Sequence, residues 1–200
     1  SLGSLEPRNT PAIARGAGRS YGDSALSETL ISTRYLDNFS SLTTLASGHT
    51  ALRCASGISL EKVLETIIPK GLFLPVLPGS KGVTIGGAIA ADVHGKNHHI
   101  DGSFCDHVES LRMLLASGEI IDCHRGSNAE LFHATCGGMG LTGIILDAAI
   151  KLTPLSSLDI AQRSLVAGNL QECMDLMDEH NDAKYSVAWI DCLASGAAQG

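Results

Sequence analysis

Three glycine-rich segments constrain this 200-residue chain more than any other feature: "RGAGRSYGD" at 15–23, "PGSKGVTIGG" at 78–87 and "GGMGLTGI" at 137–144. Glycine loses more backbone freedom on folding than any other residue, so clusters of it mark places where the backbone must turn sharply or come close to something else. The chain has 22 glycines and 44% apolar residues, enough for a real core, while aromatic residues make up only 4%. A nicotinamide-type Rossmann fingerprint is the first reading to test for Gly16-x-Gly18, and Asp37 would supply the acidic residue about 20 positions on. It fails because the motif is GxGxxxG, and "RSYGDSALSET" puts glycine, aspartate and three serines where a helix should begin. Successive backbone N–H groups in such loops instead form concave nests that hold a pyrophosphate without a net positive protein.

The rest of the chain reads as a mixed α+β pattern. "AIAR" at 12–15 is a short strand feeding the first glycine loop, "LISTRYL" a second strand, and "ALRCASG" a third after a polar stretch. Ser59 caps a helix whose apolar residues Leu60, Val63, Leu64, Ile67 and Ile68 share one face, ended by Pro69 and Gly71. The segment "LFLPVLPGSKGVTIGGAIAADVHGKNHH" is too irregular for one element and too apolar for an exposed loop, which predicts a buried, specially shaped stretch. "VESLRMLLASGEIIDC" reads as a hairpin turning at Ser117-Gly118. Ser127 and Glu130 form a capping box for a helix that stops at Gly137-Gly138, followed by the strand "IILDAAIKL", which Pro154 closes. Beyond it, "SLDIAQRSLV" reads as an edge strand, "NLQECMDLMDEHN" as a helix and "YSVAWIDCLA" as a strand. Trp189 and the methionines Met174 and Met177 are expected in a core.

A formal charge of −7 with no lysine or arginine run argues against nucleic acid as a partner. No apolar stretch reaches the 18–20 residues of a membrane span. The six cysteines (Cys54, Cys105, Cys123, Cys136, Cys173 and Cys192) form no CxxC pair and read as buried free thiols, which points to a reducing, cytoplasmic setting. The chain opens on Ser1, so a targeting segment could precede it.

"ARGAGRSYGDS", "PVLPGSKGVTIGGAIAADVHGKNHH" and "GGMGLTGI", in this order and at these separations, resemble the FAD-binding domain of the vanillyl-alcohol oxidase flavoenzymes, also called PCMH-type. The resemblance covers roughly residues 12–154, and within the family it runs to the branch of decaprenylphosphoryl-β-D-ribose 2′-oxidase-like and aldonolactone oxidases. It implies two β-rich lobes with flanking helices that clamp FAD. It implies that Ala14, Arg15, Gly16, Ala17, Gly18, Arg19, Ser20, Tyr21, Gly22, Asp23 and Ser24 wrap the pyrophosphate. Pro78, Gly79 and Ser80 would approach the flavin; Thr84, Ile85, Gly86 and Gly87 would hold the phosphates and ribityl chain. Ile144 would lie by the adenine or ribose, and small residues such as Ala91 leave room for a flat ring. The first loop has Arg19 where several family members carry a flavin-linking histidine, so the FAD is expected to be non-covalent.

The cluster "HGKNHHIDGSFCDH" leaves three readings open. His94, His98, His99, Cys105 and His107 could hold zinc, although Gly95 argues against the continuous helix that HxxxH geometry needs, and no metal is expected. His98, His99 and His107 could be structural hydrogen-bonding groups on a loop. By resemblance, His94 and Lys96 would meet the substrate near the flavin.

Together these expectations describe an FAD-binding domain at 1–154, its first strands missing, followed by the start of a substrate domain at 155–200. The resemblance implies oxidation of a CH–OH group on a sugar, sugar-phosphate lipid, alditol or aldonolactone by hydride transfer to FAD. The catalytic base is expected beyond residue 200, so this stretch alone would not turn over. The alternatives are a non-catalytic flavin-binding module and a metal-dependent hydrolase built on the histidine cluster. A small-molecule sugar or polyol, lipid-linked forms included, is the expected partner.

Overall fold

The computed structural model describes residues 11–191. β1 (Ala12–Arg15) lies parallel to β2 (Thr29–Ser32), and the 13 residues between them contain no helix, as expected from their poor helix formers. β3 (Phe39–Thr44) and β4 (Thr50–Ala55) follow as an antiparallel pair. β3 was not legible in "DNFSSLTTL": it is an edge strand with mostly exposed serine and threonine side chains, so the apolar alternation that marks a half-buried strand is absent.

α1 (Leu60–Ile67) forms where its spacing predicts. Ser59 Oγ accepts the Lys62 N–H at 3.2 Å, and Leu60, Val63 and Ile67 are buried on one face. Pro69 sits in a 3₁₀ turn, and Gly71 ends it with φ 70°. The irregular segment resolves into β5 (Leu72–Phe73), an extended run, the short α2 (Ile85–Ala90) and the single turn α3 (His98–Asp101).

β6 (Val108–Leu114) and β7 (Ile120–Cys123) make the expected hairpin. After α4 (Ala129–Thr135), β8 (Ile144–Lys151) inserts between β4 and β6, giving an antiparallel sheet of order β3-β4-β8-β6-β7. α1, α2 and α4 bury Leu60, Val63, Ile67, Ile85, Ile89 and Phe132 in the same core as the sheet residues Leu52, Leu111, Met113 and Ile150. The buried Asp147 of β8 pairs with Arg53 of β4 and with Arg112 of β6 at 2.5 Å, and Arg53 also donates to Ser110 Oγ at 2.7 Å, tying the three central strands together.

Several sequence expectations need correction. Ser127 does not cap α4: it exchanges backbone hydrogen bonds with His124, and Asn128 precedes the helix with φ 52° while its Nδ2 donates to Asp122 O. A capping box does form at Ser103 and Asp106, which open the 3₁₀ turn before β6. The strand expected to close at Pro154 ends slightly earlier, at Lys151, and Thr153–Pro154 then form a short β9 paired with β5. No strand forms over 157–166, nor over 185–191; the remainder of the latter, with Cys192, lies outside the described residues. α5 (Leu170–Glu179) is present, yet Met174, Met177 and Trp189 are exposed, Trp189 by 92%, so they are not core among the described residues.

Candidate functional site

The three glycine segments, far apart in sequence, wall a single cleft of about 550 Å³. The first contributes residues 14–21, Ser24 and Ala25, and the second Pro78, Gly79, Ser80, Thr84, Gly86, Gly87, Ala91 and His94. The third contributes Met139, Gly140, Gly143 and Ile145. Gly16 lets the first loop lie against α2: a Cβ there would stand 2.3 Å from Thr84 Oγ1. A Cβ on Gly79 would meet nothing within 4 Å, so its bare backbone faces open space at the cleft.

Some expected site residues stand elsewhere. Ile85 is fully buried in the core and its N–H goes to Ile58 O, so its neighbours Thr84, Gly86 and Gly87 reach the cleft and it does not. Ile144 is displaced by strand alternation, which turns Ile145 toward the cleft instead. Gly22 and Asp23 lie off the wall, in the turn where Gly22 has φ 82°. Lys96 is exposed outside the wall, and its carbonyl accepts the Ser186 N–H.

Backbone donors are unequally available. The first three N–H groups of α2 are already taken, by Ile58 O, Ser56 O and Thr84 Oγ1. Those of residues 16–24 make no hydrogen bond to other described residues and remain open to an anion. Two cations accompany them: Arg15, whose Nη1 donates to Ala25 O at 3.1 Å, and Arg19, whose Nε lies 3.8 Å from where a Gly82 Cβ would be. Thus the cleft carries local positive charge on a protein of net −7.

Sequence reasoning missed Ser56, Asp92 and Met139. Asp92 (φ 41°), Met139 (φ 53°) and Ala25 (φ 55°) are three of the four non-glycine residues with positive φ among those described, and all three line the cleft. Asp92 organises the loop behind it, accepting from Cys105 N at 2.9 Å and Ser103 Oγ at 3.0 Å. The signal for Asp92 and Met139 is conformational, a positive φ that residue type marks strongly only when the residue is glycine.

The histidine cluster spreads out. His98 opens α3 while His94 stands outside it, their rings 5.4 Å apart edge to face. His99 Nε2 contacts Ala183 O and His107 Nε2 contacts Asp101 O, at 2.9 and 2.8 Å. Among the described residues no three such side chains gather as metal ligands. The hexapeptide's shape has its own cause: buried Asn97 donates to Pro75 O and Asp101 Oδ2, and a Cβ on Gly95 would strike Leu77 O at 2.8 Å. His94 does line the cleft.

The described residues include five free cysteines, of which Cys54, Cys105 and Cys123 are buried. Cys105 Sγ lies 3.4 Å from Ile89 O, the carbonyl that accepts Gly137 N–H. A hydrogen bond from Cys105 and the charge of Arg125 hold Cys136 below the usual thiol range, against burial and the carboxylates of Asp92 and Asp106. The same hydrogen bond, then burial, pushes Cys105 up. Burial, reinforced by Asp147, raises Cys54 to about 12, and burial raises Cys123 to about 11.

A cleft of this size with bare glycine walls, unused N–H groups and two arginines fits a large phosphate-bearing ligand with a flat polar ring. The comparison with known families decides which: the FAD binding domain matches residues 5–124. This chain belongs to the FAD-binding domain family. The domain is 42% identical over 187 residues to decaprenylphosphoryl-beta-D-ribose oxidase of Mycolicibacterium smegmatis, covering 91% of this chain and 40% of that protein. It is 32% identical over 127 residues to L-gulonolactone oxidase of Bos taurus (62% of this chain, 28% of that protein). D-lactate dehydrogenase of Archaeoglobus fulgidus is 27% identical over 152 residues (74% and 34%). The chain therefore spans less than half the length of these relatives.

Proposed function

We propose that this FAD-binding domain serves an oxidoreductase that oxidises a CH–OH group on a sugar, a sugar-phosphate lipid, an alditol or an aldonolactone. The observation that carries the reading is the single cleft made by three separated glycine segments; the relatives named as oxidases and a dehydrogenase support it. Bound non-covalently, FAD supplies a two-electron acceptor for the carbinol hydrogen. Loop 16–24 offers its unused N–H groups, with Arg15 and Arg19, to the pyrophosphate. Gly79, Gly86 and Gly87 keep side chains out of the cofactor's way.

His94, which lines the cleft, would meet the substrate. Its Nδ1 lies 3.3 Å from Gly95 O; when that nitrogen carries the proton, Nε2 is left to accept a hydrogen bond from a substrate hydroxyl. Residues 155–200 open a second, substrate-facing unit. Its segment 183–186 returns to the loop behind His94 through the His99–Ala183 and Ser186–Lys96 hydrogen bonds, and Leu158, Ile160, Val166 and Trp189 expose apolar surface for further packing. The arrangement as two β-rich lobes belongs to the same proposal.

The test is acid precipitation of one portion of the full-length protein and anaerobic mixing of a second, intact portion with CH–OH donors. Yellow flavin in the supernatant, and bleaching of the visible flavin band by sugar alcohols or lactones but not by their deoxy analogues, are expected. Flavin retained in the pellet would refute non-covalent attachment. A loaded protein that no CH–OH donor bleaches would overturn the proposed reaction.

A further inference from the structure

Ser56 stands where β4 leads toward α1, and its main chain is fully engaged. The N–H donates to Leu146 O at 3.0 Å, and the carbonyl accepts Gly86 N–H at 2.8 Å. Its side chain is not: Oγ is buried, in a residue only 1% exposed, and has no hydrogen-bond partner. The residue nevertheless lines the cleft. Gly86 is its immediate neighbour, and a Cβ there would lie 3.0 Å from Ser56 Cβ and 3.6 Å from Oγ. Because Gly86 has no side chain, only its backbone stands beside the buried hydroxyl where Ser56 borders the cleft.

A buried hydroxyl without a partner destabilises the state that contains it, because folding removes its water and returns nothing. An alanine would fill the same corner without that cost. We infer that Ser56 Oγ is a direct hydrogen-bonding contact for FAD, a part of the cofactor site contributed by the β4–α1 junction and separate from the three glycine segments. As both donor and acceptor, the hydroxyl suits a polar atom of the cofactor that approaches over Gly86. This inference rests on the FAD-binding assignment and not on the proposed reaction, so an oxidase assay that fails leaves it standing.

The experiment compares wild type with Ser56→Ala and Ser56→Cys in the full-length protein, stripped of flavin and then titrated with FAD. Quenching of flavin fluorescence gives the dissociation constant, and apoprotein melting is followed in parallel. One net hydrogen bond corresponds to a five- to tenfold change, so the dissociation constant of Ser56→Ala should rise by about that factor. Its apoprotein should melt at or above the wild-type temperature, since an unsatisfied group has been removed. Ser56→Cys, similar in shape but a poor hydrogen-bonding group, should also weaken binding. Unchanged affinity in both variants overturns the inference. Weakened affinity accompanied by a lower apoprotein melting temperature in both variants also overturns it, because the hydroxyl would then act through the fold.

Discussion

At Gly16 and Gly79 the same substitution tests two different jobs. Gly16→Ala would place a methyl 2.3 Å from Thr84 Oγ1, displacing the first glycine loop from α2, so both stability and FAD affinity should fall, the latter by about tenfold or more. Gly79→Ala meets nothing within 4 Å, so the apoprotein should melt unchanged while FAD binding weakens, because the new methyl occupies cofactor space. Fluorescence titration and thermal melts of each variant separate the cases; equal FAD affinity in Gly79→Ala and wild type would contradict the placement. Both positions were legible in the sequence because glycine runs are visible there. Ser56, Asp92 and Met139 were not, since an orphaned hydroxyl and a positive φ leave no trace in residue type. The thiols give a test in pH. Cys136, held low by the Cys105 hydrogen bond and Arg125, carries more thiolate at neutral pH than Cys54 or Cys123, which are raised to about 12 and 11. Mass spectrometry after brief iodoacetamide exposure should find Cys136 modified ahead of those two, with the order lost only in unfolded protein.

Between elements, the decisive features are contacts that no periodicity announces. α1 was readable because Ser59, the Leu60/Val63/Ile67 face and Pro69 agree, whereas β3 hid in serines and threonines at a sheet edge. The stretch 157–166 shows the converse: it reads as an edge strand, yet no neighbouring strand pairs with it among the described residues, and a segment without a partner makes no sheet. The Asp147 network could not be foreseen, because Arg53, Arg112 and Asp147 meet only once β8 inserts between β4 and β6. Asp147→Ala would leave two guanidinium groups facing a buried gap. A fully buried pair broken from one side loses 3–5 kcal/mol, and partial exposure of both arginines lowers the expected cost to about 2–3 kcal/mol. Urea unfolding should show a reduced midpoint with an unchanged slope. A midpoint within error of wild type would mean that the pairing contributes nothing net.

Across the whole molecule, the cleft joins segments centred near residues 19, 86 and 142; hydrogen bonds from Gly137 N–H to Ile89 O and from Met139 N–H to Ala90 O tie the third to α2, while the first meets α2 through the close approach of Gly16 to Thr84. The first loop depends most on the ligand, since its N–H groups at 16–24 have no partner among the described residues, whereas α2 is already satisfied through Ile58, Ser56 and Thr84. FAD should therefore act as a cross-brace, adding to the folded state a free energy set by its saturation. At a hundredfold excess over the dissociation constant this is about 2.7 kcal/mol, or about 5–10 °C in melting temperature for a chain of this size. The effect should be local as well as global. Hydrogen exchange of residues 16–24 should slow sharply on FAD addition, while that of α1 and the β4–β8–β6 sheet centre changes little beyond the shift in global stability. ADP, which carries the adenosine and phosphates without the flavin, should protect the first loop but give a smaller melting shift, because the walls at Gly79 and Gly86 stay uncovered. Equal shifts from ADP and FAD would mean that the second glycine segment does not hold the ring, and the division of work between the loops would have to be redrawn.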